Sequence, residues 1–316
     1  MKDNTTYNPL ITIAIPTYNR ADTYLPSVIE CALNQTYPHI DIVVSDNCSK
    51  DETASLVRSY NSEKIRYIRH DPALTPNDNF NYCLSEARGK YFLLLHDDDL
   101  IDNDFVETCV YELNRQGEDT GIVRTGTRLI DNENNTIQEV PNDVVGLSTE
   151  EFFIGWFEGK TGMYVCSSLF NTELLKAIGG FQSKRYLFQD VIAEFTLAAK
   201  YGRIDIRDIK ASFRKHGDSM GDVGKAIDWC EDSQLLLETM CELTPNNKKI
   251  IRKKGSANLS KKCYKHAYVV DSKYKRIGLY WYIYRKFNFK YSPIHFLYLD
   301  RIKKRLKKTI AAKVFN

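Results

Sequence analysis

No stretch of this 316-residue chain approaches the roughly 20 uncharged apolar residues needed to span a bilayer. The opening MKDNTTYNPL has no apolar signal core either, so the expected location is the cytoplasm. The eight cysteines contain no CxxC pair, and several fall inside apolar helix or strand patterns. That excludes a zinc ribbon and argues for reduced core thiols over a disulfide frame. Internal repeats and low-complexity linkers are also missing, which excludes solenoids and tethered modules. Acid is scarce in one region: residues 248–316 hold 21 Lys and Arg against Asp271 and Asp300, leaving 23 basic and 39 acidic residues before them. A net charge of +3 therefore hides an acidic body of −16 and a basic segment of +19. The split suits a body that binds a cation and a tail that meets an anionic surface.

What is present begins with alternation. Residues 10–16 (LITIAIP), 40–45 (IDIVVS), 65–69 (IRYIR) and 91–95 (YFLLL) have strand length and composition. Residues 24–34, 51–60 and 77–87 between them have helical spacing, with Pro76 where a first-turn proline is tolerated. Strand–helix repetition predicts an α/β fold, a mostly parallel sheet flanked by helices, with ligands beyond the carboxyl ends of the strands. A helix is expected over 102–115, short strands over 121–140 around a polar turn at 131–135, and a capping box of Ser148 and Glu151. Further on, an apolar run at 163–170, a helix ending at Gly179-Gly180, a helix over 190–201 and a strand near 204–209 complete the compact part. Domain 1–221 is expected to divide near residue 115 and to be followed by a helical, basic, aromatic-rich region over 222–316.

His96-Asp97-Asp98-Asp99 directly follows the apolar strand. Adjacent carboxylates at the dry end of a strand repel unless a cation neutralises them, and Mg²⁺ or Mn²⁺ commonly joins carboxylates to substrate phosphates. On an extended segment Asp97 and Asp99 would face one way while Asp98 packs on backbone donors; the alternative is an acidic turn before the next helix. His96 itself is read as structural. Asp46 ends the second strand and can accept from a base or ribose, whereas Asp51 reads as a helix cap. Pro16-Thr17-Tyr18-Asn19-Arg20 breaks the first strand and offers backbone N–H groups, a ring and a cation.

The segments IPTYNR, VVSDNCSKDET and LLLHDDDL, in this order and spacing, resemble the family 2 glycosyltransferases of GT-A fold over roughly residues 10–220. The resemblance implies transfer of a sugar, with inversion, from a nucleoside diphosphate held by the first half to an acceptor held by the second. It implies that Pro16, Thr17, Tyr18 and Arg20 line the nucleotide pocket, that Asp46 meets the base, and that Asp97, Asp98 and Asp99 serve the diphosphate and metal, Asp99 being the metal acid. IGGF followed by Gln189-Asp190 resembles the family's GGF…ED segment, which makes Asp190 the candidate base, or else only a helix cap. Gln189 stands where the family usually has Glu, and Glu194, one turn on, is either its substitute or a surface residue. His216 in FRKHGDSMG resembles a histidine near the metal or diphosphate in some relatives; an ordinary packing role is the alternative. Gly217 and Gly221 suggest a loop able to close over the donor.

Processive relatives carry membrane helices and a Gln-x-x-Arg-Trp motif after the base; here QSKRY precedes Asp190 and ends in tyrosine. Single-sugar addition is the expectation, from UDP-sugar to a glycan or lipid-linked acceptor in surface polysaccharide synthesis. In the tail, Ile302, Leu306, Ile310 and Val314 recur every four residues among cations, a pattern suited to an inner-membrane surface. Single-stranded nucleic acid and simple packing on the body are the alternatives, with no nucleic acid expected. Among whole-protein alternatives, a sugar-phosphate nucleotidyltransferase would need a Gly-rich loop with Lys near the first strand, which PTYNR lacks. A nucleic-acid-binding protein leaves the three aspartates unexplained.

Overall fold

The computed structural model describes residues 7–117, 119–216 and 225–298. Its first four apolar runs form β1 (Ile11–Thr17), β2 (Ile40–Asp46), β3 (Ile65–Arg69) and β4 (Tyr91–Leu94). β1 and β4 are buried at every position, as near-continuous apolar strands covered on both faces should be. Helices α1 (Leu25–Leu33), α2 (Thr53–Ser59) and α3 (Pro76–Ser85) link them, so β1 pairs in parallel with β2 and β4, and β2 with β3. Thr75 caps α3 by accepting from the Asp78 N–H, with Pro76 in the first turn. Register sets Thr17 beside Asp46 and Asp46 beside Arg69, so three strands deliver polar side chains to one rim.

β5 (Leu100–Ile101), α4 (Phe105–Gln116), β6 (Ile122–Ile130), β7 (Thr136–Val140), α5 (Thr149–Glu158), β8 (Ser168–Asn171), α6 (Thr172–Ala177), α7 (Gln189–Tyr201) and β9 (Arg203–Arg214) follow. All nine strands join one sheet, ordered β3-β2-β1-β4-β8-β6-β9-β5 with β7 on β6. The sheet is mixed: β8 runs antiparallel to both β4 and β6, and the polar turn after β6 makes a hairpin with β7. Ser148 and Glu151 form the expected capping box on α5.

The chain divides into two compact units, residues 1–219 and 220–316. Helices α8 (Ala226–Leu243), α9 (Lys248–Tyr268) and α10 (Lys273–Lys286) build the second, with Leu236, Met240, Leu259, Tyr264 and Ile283 in its interior. All eight cysteines are free thiols. No helix among the described residues is long and apolar enough to cross a membrane. The stripe expected at 302–314 and the glycines 217 and 221 lie outside the described residues.

Candidate active site

Backbone geometry at the rim starts from turns that the strand ends impose. Asn19 and Cys48 adopt positive φ (53° and 71°), reversing the chain after β1 and β2. The two reversals are tied together: the Asn19 N–H donates to Ser49 Oγ at 2.9 Å, and the Lys50 N–H to Asn19 Oδ1 at 2.8 Å. Asp51 links the same loops, accepting from the Ala21 and Thr53 N–H groups, as a helix-start cap would. Asp46 is 1 % exposed; one oxygen accepts from the Ser49 N–H at 2.8 Å and the other from the Tyr67 hydroxyl at 2.5 Å, with Arg69 Nε 3.8 Å away. Its carboxylate thus holds the turn after β2 in place. Tyr18 projects its ring to solvent at 51 % exposure, Pro16 and Thr17 are buried in β1, and Arg20 lies 5.6 Å over the Tyr24 ring.

The carboxylate row does not alternate as an extended segment would. Asp99 N–H donates to the His96 carbonyl, closing a turn over 96–99 that rotates each side chain to a different neighbour. Asp97 accepts from the Tyr18 N–H at 3.2 Å, facing the loop after β1. Asp98 lies 2.7 Å from His216 Nε2, and Asp99 turns into the protein, fully buried, accepting from the Arg214 N–H at 2.9 Å. Asp99's second oxygen is buried without a geometrically formed hydrogen bond, 3.9 Å from His96 Nδ1, with the Cys166 thiol beside the carboxyl. Burial and the Asp98 charge push the Asp97 carboxyl up to about 7, and the same two causes raise Asp99 well above its ordinary value.

Among the described residues, His96, Asp98 and Asp99 bring one ligand atom each to within 4.8 Å of one another. Of the Asp99, Asp97 and His216 expected from sequence, only Asp99 is in this group; Asp97 instead accepts from the Tyr18 N–H and His216 meets Asp98. The trio fits a divalent cation: carboxylate oxygens suit Mn²⁺ or Mg²⁺, the imidazole favours Mn²⁺ of the two, and a buried carboxylate oxygen without a hydrogen-bond partner gains from a positive neighbour. His96, read as structural, stacks 5.1 Å from Phe80 and so presents its Nδ1 edge to Asp99.

Arg214 was not legible in the sequence. Its Nε donates to the Asp98 carbonyl at 2.8 Å, Nη1 to the Asp131 carbonyl at 2.7 Å and Nη2 to Asn134 Oδ1 at 2.7 Å, while Tyr24 covers its guanidinium at 4.5 Å. It therefore locks the turn after β6 to the carboxylate row; it stands two residues before His216 in FRKHGDSMG, a segment read for its histidine and not for this arginine.

Across the site, Gly179 and Gly180 both take positive φ (91° and 71°), and a side chain at Gly180 would collide with Asn81 Oδ1. Asn81 of α3 accepts from the Phe181 N–H and donates to the Phe181 carbonyl, fixing the loop that leads to α7. Asp190 sits in the first turn of α7 and accepts from the Val191 N–H at 2.9 Å, a helix-start contact. Its carboxyl is raised by burial and partly brought back by that hydrogen bond and by the His96 charge. Glu194 is fully buried, neither on the surface nor at the rim: Oε2 meets Arg124 Nε at 3.1 Å, and burial raises its pKa to about 7.

Residues 12–179 match the family model described as glycosyl transferase family 2. An uncharacterized glycosyltransferase of Rickettsia typhi is 35% identical over 188 residues, 59% of this chain and 58% of that protein. The GalNAc(5)-diNAcBac-PP-undecaprenol β-1,3-glucosyltransferase of Campylobacter jejuni is 28% identical over 160 residues, 48% of this chain and 50% of that one. The chain thus matches little more than half the length of these relatives. In fold, the S. aureus TarS 1–349 structure in complex with UDP-GlcNAc superposes with a TM-score of 0.67 at 15% identity, covering 88% of this chain and 81% of that one. With the matched stretch holding the strand ends, the carboxylate row and the loop at Gly179, the chain belongs to glycosyl transferase family 2 and has its GT-A fold.

Proposed function

We propose that the protein is an inverting glycosyltransferase that adds a single sugar from a nucleoside-diphosphate sugar, a UDP-sugar, to a hydroxyl of a glycan or lipid-linked acceptor in surface polysaccharide synthesis. The observation that carries this is the gathering of His96, Asp98 and Asp99 where the strands end, in a chain that also sets Asp190 in the first turn of α7. Pro16, Thr17, Tyr18 and Arg20 line the nucleotide pocket, and Asp46 holds the turn against which the base lies. Asp97 orients the backbone at Tyr18, and Asp98 and Asp99 with His96 hold Mg²⁺ or Mn²⁺, His216 steadying Asp98. A cation held by these residues would supply positive charge toward the leaving diphosphate. Asp190 takes the proton of the acceptor hydroxyl as the new bond forms on the face opposite the diphosphate, which inversion requires. In this reading residues 1–115 serve the donor, 116–221 the acceptor, and 222–316 the inner face of the cell membrane, with no part for nucleic acid. The Campylobacter relative is named for an undecaprenol-linked acceptor and TarS was solved with UDP-GlcNAc, which supports these substrate classes.

Thermal shift with UDP, GDP, CDP and UDP-sugars, with and without Mn²⁺, tests the donor site. One nucleotide should stabilise the protein only with metal, and Asp99→Asn should lose that response. Asp190→Asn should keep the response and lose roughly 10²- to 10⁴-fold in transfer. An unchanged transfer rate in Asp190→Asn would remove it as the base, and silence toward every nucleotide would sink the donor assignment.

A further inference from the structure

We infer that the outward face of α10 docks on an anionic lipid bilayer. The inference deepens the membrane partner proposed above and rests on that part of the reading alone. α10 carries two apolar faces. Tyr280, Ile283 and Phe287 point inward, where Tyr280 meets Tyr264 and Phe296 at ring separations of 5.5 and 6.4 Å. Tyr274, Ile277 and Trp281 recur three and four residues apart on another side of the helix, and they are 88, 55 and 60 % exposed. Trp281 continues the surface to Phe289, 6.0 Å away and itself 51 % exposed, and Ile294 and Tyr298 stand 79 and 62 % exposed just beyond in sequence. A helix that has already filled its core contact has no folding reason to keep a second row of large apolar groups in water.

Charge selects the occupant. Residues 248–298 contain 14 Lys and Arg and a single acid, Asp271. Lys273, Lys275, Arg285, Lys286 and Lys290 are exposed around the apolar row. A second copy pairing this face with itself would set like charge on like charge, as a twofold interface must. Single-stranded nucleic acid would match the charge and stack on the rings, but has little use for Ile277 and Ile294, which lack a π-face. Lipid accepts all three components: aliphatic groups in the acyl boundary, Trp and Tyr at the head-group level, and cations among anionic head groups. This face lies in the described helices, upstream of the stripe at 302–314.

The test is sedimentation of the full chain with phosphatidylcholine vesicles made with or without phosphatidylglycerol, alongside Ile277→Ser/Trp281→Ser. Both substituted positions are exposed, so the variant should keep its unfolding temperature and its response to nucleotide and Mn²⁺. Expected are binding to the anionic vesicles only, a blue shift of tryptophan emission that the variant lacks, and a partition lowered roughly tenfold or more in the variant. Equal binding of variant and parent would overturn the assignment of this face. So would binding without an emission shift that moderate salt abolishes, preference for a single-stranded oligonucleotide over vesicles, or a self-association that the variant loses. Absence of vesicle binding with an intact nucleotide response would remove the membrane proposal and leave the glycosyltransferase reading standing; the reverse pattern would do the opposite.

Discussion

Two buried ionic clusters in the first unit are made of the same residue types and differ in balance. In one, Arg124 and Arg203 face Glu194 and Asp205: Arg124 Nε lies 3.1 Å from Glu194, Arg124 Nη1 3.6 Å from Asp205, and Arg203 Nε 2.7 Å from Asp205. The ring of Phe152 lies under both guanidiniums at 4.8 and 4.5 Å, and Asn142 and Thr161 extend the hydrogen bonds. Two cations meet two anions, so the charge is closed. In the other, Asp97, Asp98 and Asp99 share one buried arginine, and the Arg214 guanidinium spends its donors on the carbonyls of Asp98 and Asp131 and on Asn134. Only its backbone N–H reaches a carboxylate. The lesson is that charge balance separates the two: both hold buried polar atoms without a hydrogen-bond partner, but only the carboxylate row has more acids than cations, its one buried arginine spending its side-chain donors on carbonyls and an amide.

Unequal responses to mutation would sharpen that contrast. Arg124→Ala leaves two buried carboxylates with less cation, and should cost about 3–5 kcal/mol of unfolding free energy in urea titrations. Asp99→Asn relieves a charge already in excess and, without metal, should change stability by less than about 1 kcal/mol or raise it. Equal destabilisation by the two would erase the distinction.

A smaller effect is expected from Arg214→Lys. An ammonium cannot reach the Asp98 carbonyl, the Asp131 carbonyl and Asn134 together, so the carboxylate row should loosen. Calorimetric titration with Mn²⁺ should record a roughly 10- to 100-fold weaker affinity with little change in melting temperature. A large loss of melting temperature at unchanged affinity would make Arg214 a scaffold residue only.

The smallest effect concerns pH. Burial raises Glu194 from 4.5 to about 7, against the pull of Arg124. A carboxyl whose folded pKa lies above its unfolded value contributes stability that is fully present below the unfolded pKa and lost as pH rises through the folded one. Glu194→Gln should therefore flatten the decline of unfolding free energy between about pH 4.5 and 7. An unaltered slope would show that Arg124 keeps Glu194 charged throughout.

Much of the frame was legible in the sequence because it depends on local pattern. Runs such as LITIAIP and YFLLL have the length and composition of buried strands, the intervening 3.6-residue spacing makes helices, and Ser148 with Glu151 announces a helix start. The motifs IPTYNR and LLLHDDDL located the rim for the same reason: they are contiguous and end strands. Tertiary structure alone decided which atoms meet there. The turn closed by Asp99 and His96 sets Asp98 and Asp99 beside His96 and Asp97 on the Tyr18 N–H, an arrangement that period-two alternation does not foresee. Arg214 lies 115 residues from Asp99, and Glu194 finds Arg124 across 70 residues, so neither partnership leaves a spacing to read. Sequence pattern carries the periodicity of backbone hydrogen bonding and burial; the pairing of charges depends on loop closure in three dimensions, where a single turn redirects a carboxylate from one neighbour to another.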